Sequence, residues 1–135
     1  MAKKTEKSAD GTSFHGTVIN STINELTRSI GKPQYDAGRD DWGFDKVTVE
    51  WTCETKDGDV FTIYDWKEYR LFDEDEIIEF HIGGHSEEIT KRALEELSHH
   101  LLFLQSQDVG FLLHSLAGKV VQSDLRILGG SLYSE

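Results

Sequence analysis

The order of apolar and polar residues predicts a helix near the start of the chain. Its apolar residues recur at spacings of four, three and four, which is typical of one helical face: Ile19, Ile23, Leu26 and Ile30. Thr22 followed by Glu25 fits a capping box at the first turn. Gly31 and Pro33 then indicate that the helix ends near Ile30.

In the middle of the chain the apolar period changes to two residues, which is typical of β-strands. Asp57 and Gly58 supply turn chemistry, so we expect residues 46–55 to pair antiparallel with residues 59–67. A third strand follows at residues 77–82. One face of these strands is aliphatic and needs helices to cover it, whereas the other face is aromatic and polar.

Ser86 is expected to begin a second amphipathic helix. Its apolar residues align on one face: Ile89, Ala93, Leu97, Leu101 and Leu104. We expect a break at residues 105–108 and another apolar helix over residues 109–116. This apolar C-terminal segment either completes the core or makes a homo-oligomer contact.

The pattern therefore predicts an α+β protein with a three-stranded antiparallel sheet and helices packed on one face of it. Residues 1–13 are polar and are predicted to form a flexible tail, which leaves residues 14–135 as a single domain. Residues 32–45 are predicted to be a loop, whose aromatic residues can fold back onto the domain.

The 135 residues carry a net charge of −11, which repels phosphate backbones, so direct binding to nucleic acid is not expected. The acidic surface either keeps the protein in solution or imitates nucleic acid towards a DNA-binding protein. The single cysteine, Cys53, is expected to be a buried thiol. No apolar run is long enough to span a bilayer and no secretory signal is recognised, which predicts a cytoplasmic protein without a membrane partner.

Most residue types that suit ligand binding lie between residues 57 and 86. Tyr64 and Trp66 are expected on one sheet face, where their flat rings can stack on a base or a partner. Lys67 and Arg70 can pair with phosphates. The alternative is that these rings form a second core layer, covered by the 32–45 loop or by a second subunit.

The junction between the third strand and the second helix is another candidate site. Its residues are Gly83, Gly84, His85 and Ser86. Glycines let backbone N–H groups approach a ligand, and a helix start favours phosphate or carboxylate. The alternative is that Ser86 only caps its own helix.

His81 lies beside Glu79 and has the chemistry of an acid or base, but the sequence indicates no nucleophile for it to activate. No catalytic residue is therefore predicted, and an enzyme is not expected. His81 and His85 are four residues apart on a strand-to-turn path, where that spacing does not bring the rings together, so neither a metal site nor a cofactor is predicted.

Two segments, Thr-Ile-Tyr-Asp-Trp-Lys at residues 62–67 and Glu-Phe-His-Ile-Gly-Gly-His-Ser at residues 79–86, resemble parts of small acidic accessory proteins of tailed bacteriophages. The resemblance covers about residues 14–100. It implies a phage protein that acts against its host without turnover. One class of such proteins sequesters the nucleotide signals of bacterial immunity, usually as oligomers, and another binds a host enzyme through an acidic surface.

The leading expectation is thus a non-enzymatic phage accessory protein, with an anti-defence role in host–virus interaction in the host cytoplasm. It would bind a phosphate-bearing nucleotide through Tyr64, Trp66, Lys67, Arg70, His81 and residues 83–86. The first alternative is an acidic inhibitor of a host enzyme or defence complex. The second is a structural or virion-associated protein.

Overall fold

The computed structural model describes residues 1–36, 46–70 and 72–115, and for residues 108–115 it describes the helical backbone only. The chain divides into two compact units, Met1–His100 and Leu101–Glu135. Within the described ranges the architecture is α+β, with two helices and an open antiparallel sheet of six strands. The predicted fold class is therefore confirmed.

The sheet is larger than predicted. Its strands are β1 (Lys3–Lys4), β2 (Ser13–Ser21), β3 (Tyr35–Asp36), β4 (Val49–Glu54), β5 (Val60–Tyr64) and β6 (Ile78–Gly84). The spatial order is β1-β4-β5-β6-β2, and β3 also pairs with β4. The three predicted strands are β4, β5 and β6, and the prediction of three strands is incomplete because it lacks the strands on both sides of them.

The first strand belongs to the segment that was predicted to be a flexible tail. Lys3 pairs with Glu54 and Lys4 with Cys53, and the Thr5 N–H donates to the Thr52 carbonyl at 3.0 Å. These contacts are mainly backbone hydrogen bonds, which need no apolar side chains. A prediction from side-chain polarity alone therefore missed the order of this segment.

The first helix, α1 (Ile23–Ile30), has the predicted capping box: the Thr22 hydroxyl accepts from the Glu25 N–H, and the Glu25 carboxylate accepts from the Thr22 N–H. Ile19 was predicted to belong to this helix, and that prediction is wrong. It is a buried residue of β2. The extended backbone of Thr22, with φ −115° and ψ 159°, separates strand from helix. The four-residue spacing from Ile19 to Ile23 matches a helical period although the two residues lie in different elements.

The second helix, α2 (Glu87–Ser115), runs without the break predicted at residues 105–108. Glutamine is a good helix former, and Ser106 is exposed, so these polar residues cost the helix little. The segment that was predicted to form a separate helix, residues 109–116, continues α2 to Ser115, and its last residue lies outside the described ranges.

The hairpin between β4 and β5 is confirmed. Trp51 pairs with Ile63 and Cys53 with Phe61. The Gly58 N–H donates to the Thr55 carbonyl at 2.9 Å, and Gly58 has a φ of +87°, a backbone conformation that glycine adopts without steric cost. Because the Thr55 N–H also donates to the Asp59 carbonyl at 2.9 Å, the turn between these two residues is a three-residue loop, residues 56–58, with a left-handed glycine.

α1 and the part of α2 that belongs to the first unit lie on the aliphatic face of the sheet, as predicted. Its buried core residues include Trp51, Phe61, Ile63, Phe80 and Ile82 from the strands, and Leu26, Ile30, Ala93 and Leu97 from the helices. The Trp51 indole N–H donates to the Gly31 carbonyl at the end of α1, at 2.9 Å. A 2.7 Å hydrogen bond joins the Thr17 hydroxyl of β2 to the Thr90 hydroxyl of α2. These contacts leave the opposite, aromatic face as the place for a site.

Candidate functional site

Four side chains form a ring cluster on the sheet face opposite the helices: Phe14, Tyr64, Trp66 and His81. The His81 ring stacks on Phe14, with centroids 4.0 Å apart and planes at 17°, and on Trp66, at 6.0 Å and 27°. Tyr64 meets His81 edge-on at 5.6 Å. Phe14 and Trp66 remain 43% and 39% exposed, so the cluster offers aromatic surface for contact with a ligand.

Strand register explains why these rings meet. Tyr64 of β5 is the direct partner of His81 in β6, so their side chains leave the same face. Phe14 of β2 is the partner of Gly83, two residues from His81 and therefore on the same face.

A buried carboxylate positions Trp66. Asp65 has no exposed surface, and it accepts hydrogen bonds from the Thr48 N–H at 2.8 Å, the Thr48 hydroxyl at 2.7 Å and the Val49 N–H at 2.9 Å. These three bonds tie the end of β5 to the start of β4. The next residue, Trp66, is thereby held at the edge of the ring cluster.

The backbone beyond Trp66 is unusual. Lys67 and Tyr69 have φ values of +56° and +51°, which are uncommon for residues other than glycine. The Lys67 N–H donates to the Lys46 carbonyl at 2.8 Å, which holds this conformation. The Lys67 ammonium lies 5.6 Å from the centroid of the Trp66 ring, so a cation stands beside the cluster.

A groove of about 360 Å³ adjoins the cluster, which we call the open-face groove. Its lining from β4, β5 and β6 comprises Glu50, Thr62, Tyr64 and Gly83. Trp66 lines it after the end of β5, and Asp10 and Ser13 line it from the N-terminal segment. Its volume is within the range typical of sites for small molecules.

Gly83 is required by its neighbours in this groove. A Cβ atom at this position would lie 2.6 Å from the Thr62 hydroxyl oxygen and 3.4 Å from Cε1 of Tyr64. Thr62 is its direct cross-strand partner. The absence of a side chain therefore lets Thr62 and Tyr64 pack over β6, independently of any ligand.

Burial perturbs three titratable groups of the open face. It raises the pKa of the half-buried Glu50 carboxyl. It also raises the pKa of Tyr64, to which the negative charge of Glu50 adds, and it lowers the pKa of His81 against the opposing effect of Glu79. Partial burial thus favours the neutral form of each group.

The Glu50 carboxylate has no hydrogen-bond donor among the described residues. Within the ranges that the structure describes, it makes neither a hydrogen bond nor an ion pair. Asp10, a second carboxylate, lines the same groove. The groove is therefore rich in hydrogen-bond acceptors, whereas the Lys67 cation lies next to it over Trp66.

The structure brings together five of the predicted site residues. Tyr64, Trp66 and His81 belong to the ring cluster, Lys67 lies over Trp66, and Gly83 lines the groove. These residues come from the end of β5, from the segment after it and from β6. Strand pairing across β5 and β6 is what makes them neighbours.

Arg70 and His85 lie apart from the ring cluster. The Arg70 guanidinium is ion-paired with Glu76 and with Glu68, the latter at 3.3 Å. His85 is exposed and packs beside Gly11, where an added Cβ atom would lie 3.3 Å from Cε1 of the histidine. Neither residue forms part of the lining of the open-face groove.

The glycine turn is divided between the two faces of the sheet. Gly83 faces the groove, whereas a Cβ atom on Gly84 would lie 2.9 Å from Cγ2 of Thr90 in α2. The Ser86 hydroxyl accepts from the Ile89 N–H at 3.2 Å, as expected of a helix cap. Gly84 and Ser86 therefore have structural roles on the helix side of the sheet.

Sequence reasoning missed Phe14, Glu50 and Thr62 as groove or cluster residues. Phe14 follows directly on the segment that was predicted to be a tail, and its partner strand is distant in sequence. Glu50 could have been found, because the predicted hairpin places it opposite Tyr64. A carboxylate is not expected in a site for an anion, so the acidic character of Glu50 argued against it.

The described ranges contain neither a metal-binding group of side chains nor a membrane-spanning helix. No three His, Cys, Asp or Glu side chains there are grouped so that they could hold a metal ion. None of the helices there is sufficiently long and apolar to cross a membrane.

Comparison with protein-family models, with curated proteins and with solved structures finds no match to this chain. A function is therefore inferred from the geometry and chemistry of the open face alone.

Proposed function

We propose that this protein binds a small phosphate-bearing nucleotide without catalytic turnover, and that the base stacks on the ring cluster. The observation that carries the proposal is the half-exposed stack of Phe14, His81 and Trp66 beside a groove of about 360 Å³. Stacking of a base on an aromatic side chain contributes about 1–3 kcal/mol. Two ring faces beside a groove are sufficient to orient a single base.

Lys67 would contact the phosphate. Its ammonium lies 5.6 Å from the Trp66 ring centroid, so a phosphate attached to a base stacked at Trp66 would be near it. Asp10 and Glu50 repel additional phosphates, and the whole chain carries a net charge of −11. The ligand we propose is therefore a small nucleotide rather than a nucleic-acid strand.

In biological terms, the bound nucleotide would be a signal of bacterial immunity that the protein sequesters. This part of the proposal rests on the resemblance of residues 62–67 and 79–86 to phage accessory proteins. The protein would then be an anti-defence factor that acts in the host cytoplasm. Oligomerisation through the apolar C-terminal segment also stays a prediction, and residues 116–135 of that segment lie outside the described ranges.

Calorimetric titration with nucleoside monophosphates, cyclic dinucleotides and ADP-ribose tests the proposal. We expect at least one to bind, and Trp66→Ala to weaken that binding at least about tenfold because it removes one stacking face. Tyr69→Ala is the matched control, since Tyr69 is exposed on the same segment but lies outside the ring cluster. An absence of heat for every ligand, or equal losses in both variants, would contradict the proposal.

The second candidate is an acidic inhibitor that binds a basic host protein. The specific observation in its favour is the pair of groove carboxylates, Asp10 and Glu50, of which Glu50 lacks a donor in the described ranges. A partner of this kind would be released from the immobilised protein by raised salt. If a nucleotide competes with such a partner, both bind at the same site. If the two do not compete, they bind at different sites.

A further inference from the structure

The Glu50 carboxylate, which has no donor within the described ranges, indicates which chemical groups a ligand of the groove would present. Other half-buried glutamates of the first unit have donors: Glu54 pairs with Lys3 and Lys7, and Glu25 accepts from the Thr22 N–H and the Ser21 hydroxyl. Glu50 has no such donor within the described ranges, although it is half-buried. Its oxygens are not buried and still reach solvent, although partial burial disfavours the charge, so a ligand that supplies donors would take the place of water there.

Glu50 also stands in the correct place to meet a stacked ring. It is the direct cross-strand partner of Tyr64, and both residues line the open-face groove. Tyr64 in turn contacts Trp66, with ring centroids 6.2 Å apart. A planar ligand that stacks at the cluster and extends into the groove would therefore present its edge to the carboxylate.

An ionised carboxylate only accepts hydrogen bonds, and two adjacent N–H donors can bind both of its oxygens. The bases differ in what their edges offer. Guanine has a ring N–H directly beside an amino group, whereas adenine and cytosine place an amino group beside a ring acceptor. Uracil has a single N–H between two carbonyls. Guanine is thus the common base whose edge offers two adjacent donors to a carboxylate.

We infer that the open-face groove selects guanine, with the ring N–H and amino group of the base donating to Glu50 while its ring stacks at the ring cluster. This inference rests on the proposed function and specifies the base. The second carboxylate of the groove, Asp10, further favours an edge that donates hydrogen bonds. Lys67 remains available for a phosphate next to Trp66.

The test is calorimetric titration of the full chain with GMP, IMP and AMP, since IMP differs from GMP only by the missing amino group. We expect the unmodified protein to bind GMP at least about tenfold more tightly than either of the others, because a site built for a donor discriminates against a ligand that lacks it. This comparison requires no variant. Glu50→Gln, which replaces one acceptor oxygen by an amide donor, should reduce the preference for GMP over IMP to less than about threefold.

Glu79→Gln is the matched control. Glu79 is exposed on the same sheet face and does not line the groove, so its replacement should leave the preference unchanged. Equal affinity for GMP, IMP and AMP would overturn the guanine inference and leave nucleotide binding intact. If none of the three binds but ADP-ribose or a cyclic dinucleotide does, the guanine inference fails alone. If no nucleotide binds while N-acetylarginine amide does, both fail in favour of a basic protein partner.

Discussion

Two carboxylates of neighbouring strands have opposite environments. Asp65 is fully buried and accepts three hydrogen bonds, two from Thr48 and one from Val49. Glu50 is half-buried and has no donor in the described part of the chain. Burial with full hydrogen bonding indicates a structural role for Asp65, whereas the half-buried carboxylate of Glu50 is the one that we propose to meet a ligand.

The structural role of Asp65 predicts that Asp65→Ala is strongly destabilising. The substitution leaves three donors without their acceptor in the interior, which should lower the free energy of unfolding by at least about 3 kcal/mol. Denaturant unfolding measures this change. As a control, Asp73→Ala removes an exposed carboxylate that accepts one backbone N–H, from Asp75, and should cost less than about 1 kcal/mol. Similar losses in the two variants would show that the Asp65 hydrogen bonds do not hold the β4–β5 connection.

The proposed binding role of Glu50 predicts that Glu50→Gln stabilises the free protein. Burial raises the pKa of Glu50 in the folded state, so the folded carboxyl binds a proton more readily than the unfolded one. Stability from this group is present below the usual glutamate pKa and is lost as the pH rises through the raised folded value. Glu50→Gln should remove that loss.

Thermal unfolding at several pH values measures this effect. Because Glu50 is only half-buried, the gain should be modest, a rise in Tm of about 2 °C at neutral pH and a smaller difference at acidic pH. A lower Tm at neutral pH would mean that the carboxylate has a stabilising partner in the folded protein.

At the scale of elements, β6 is shaped by a contact between strands. The close approach of Thr62 to Gly83 predicts that Gly83→Ala destabilises the sheet by about 1–3 kcal/mol, because the new Cβ atom overpacks the site. Thr62→Ala removes the hydroxyl that is contacted. The double variant should therefore recover part of the loss, which is a favourable coupling in a double-mutant cycle. Additive losses would show that the Thr62 side chain does not require the glycine.

The elements that could be predicted from the sequence are those defined by local signals. The capping box of Thr22 and Glu25, the Gly58 turn and the alternation along β4 and β5 each involve residues close in sequence. The two strands that were missed in the N-terminal segment have different causes. β1 is polar and is held by backbone pairing at a sheet edge, and β2 pairs with β6 more than fifty residues later.

The candidate site shows the same limit. Tyr64 and Trp66 were predicted to share a face because period-two alternation determines facing within a strand, and their rings do meet. Which strand lies beside β6 is a property of the tertiary fold, so Phe14 could not be assigned to the cluster. Alternation also explains why Gly83 and Gly84 separate: adjacent residues of a strand face opposite sides.

In the molecule as a whole, the strand β4 is covered on its aliphatic face by helices and is paired along the side away from β5 with β1 and β3. Cys53 lies in this strand, paired with Phe61 of β5 and Lys4 of β1, and it has no exposed surface. Burial raises the pKa of its thiol to about 12. The thiol should therefore be unreactive in the folded protein.

Labelling with a maleimide reagent tests this protection. We expect no modification of Cys53 in the native protein at neutral pH, and a labelling rate that increases with denaturant in parallel with global unfolding. Protein unfolded in denaturant is the positive control. Rapid labelling under native conditions would show that β1 and the helices open without unfolding of the sheet.

Two-dimensional NMR of the assigned protein, titrated with GMP, reports residue by residue whether a ligand binds on the open face. We expect progressive chemical-shift changes in the ring cluster, at Phe14, Tyr64, the Trp66 indole N–H and His81. The groove residues Glu50 and Gly83 should shift with them. Arg70, Gly84 and Ser86 should remain unperturbed because they lie outside the groove lining. Absence of shifts with GMP and with every other nucleotide of the calorimetric series, or shifts confined to Arg70 and the Gly84–Ser86 turn, would contradict open-face binding.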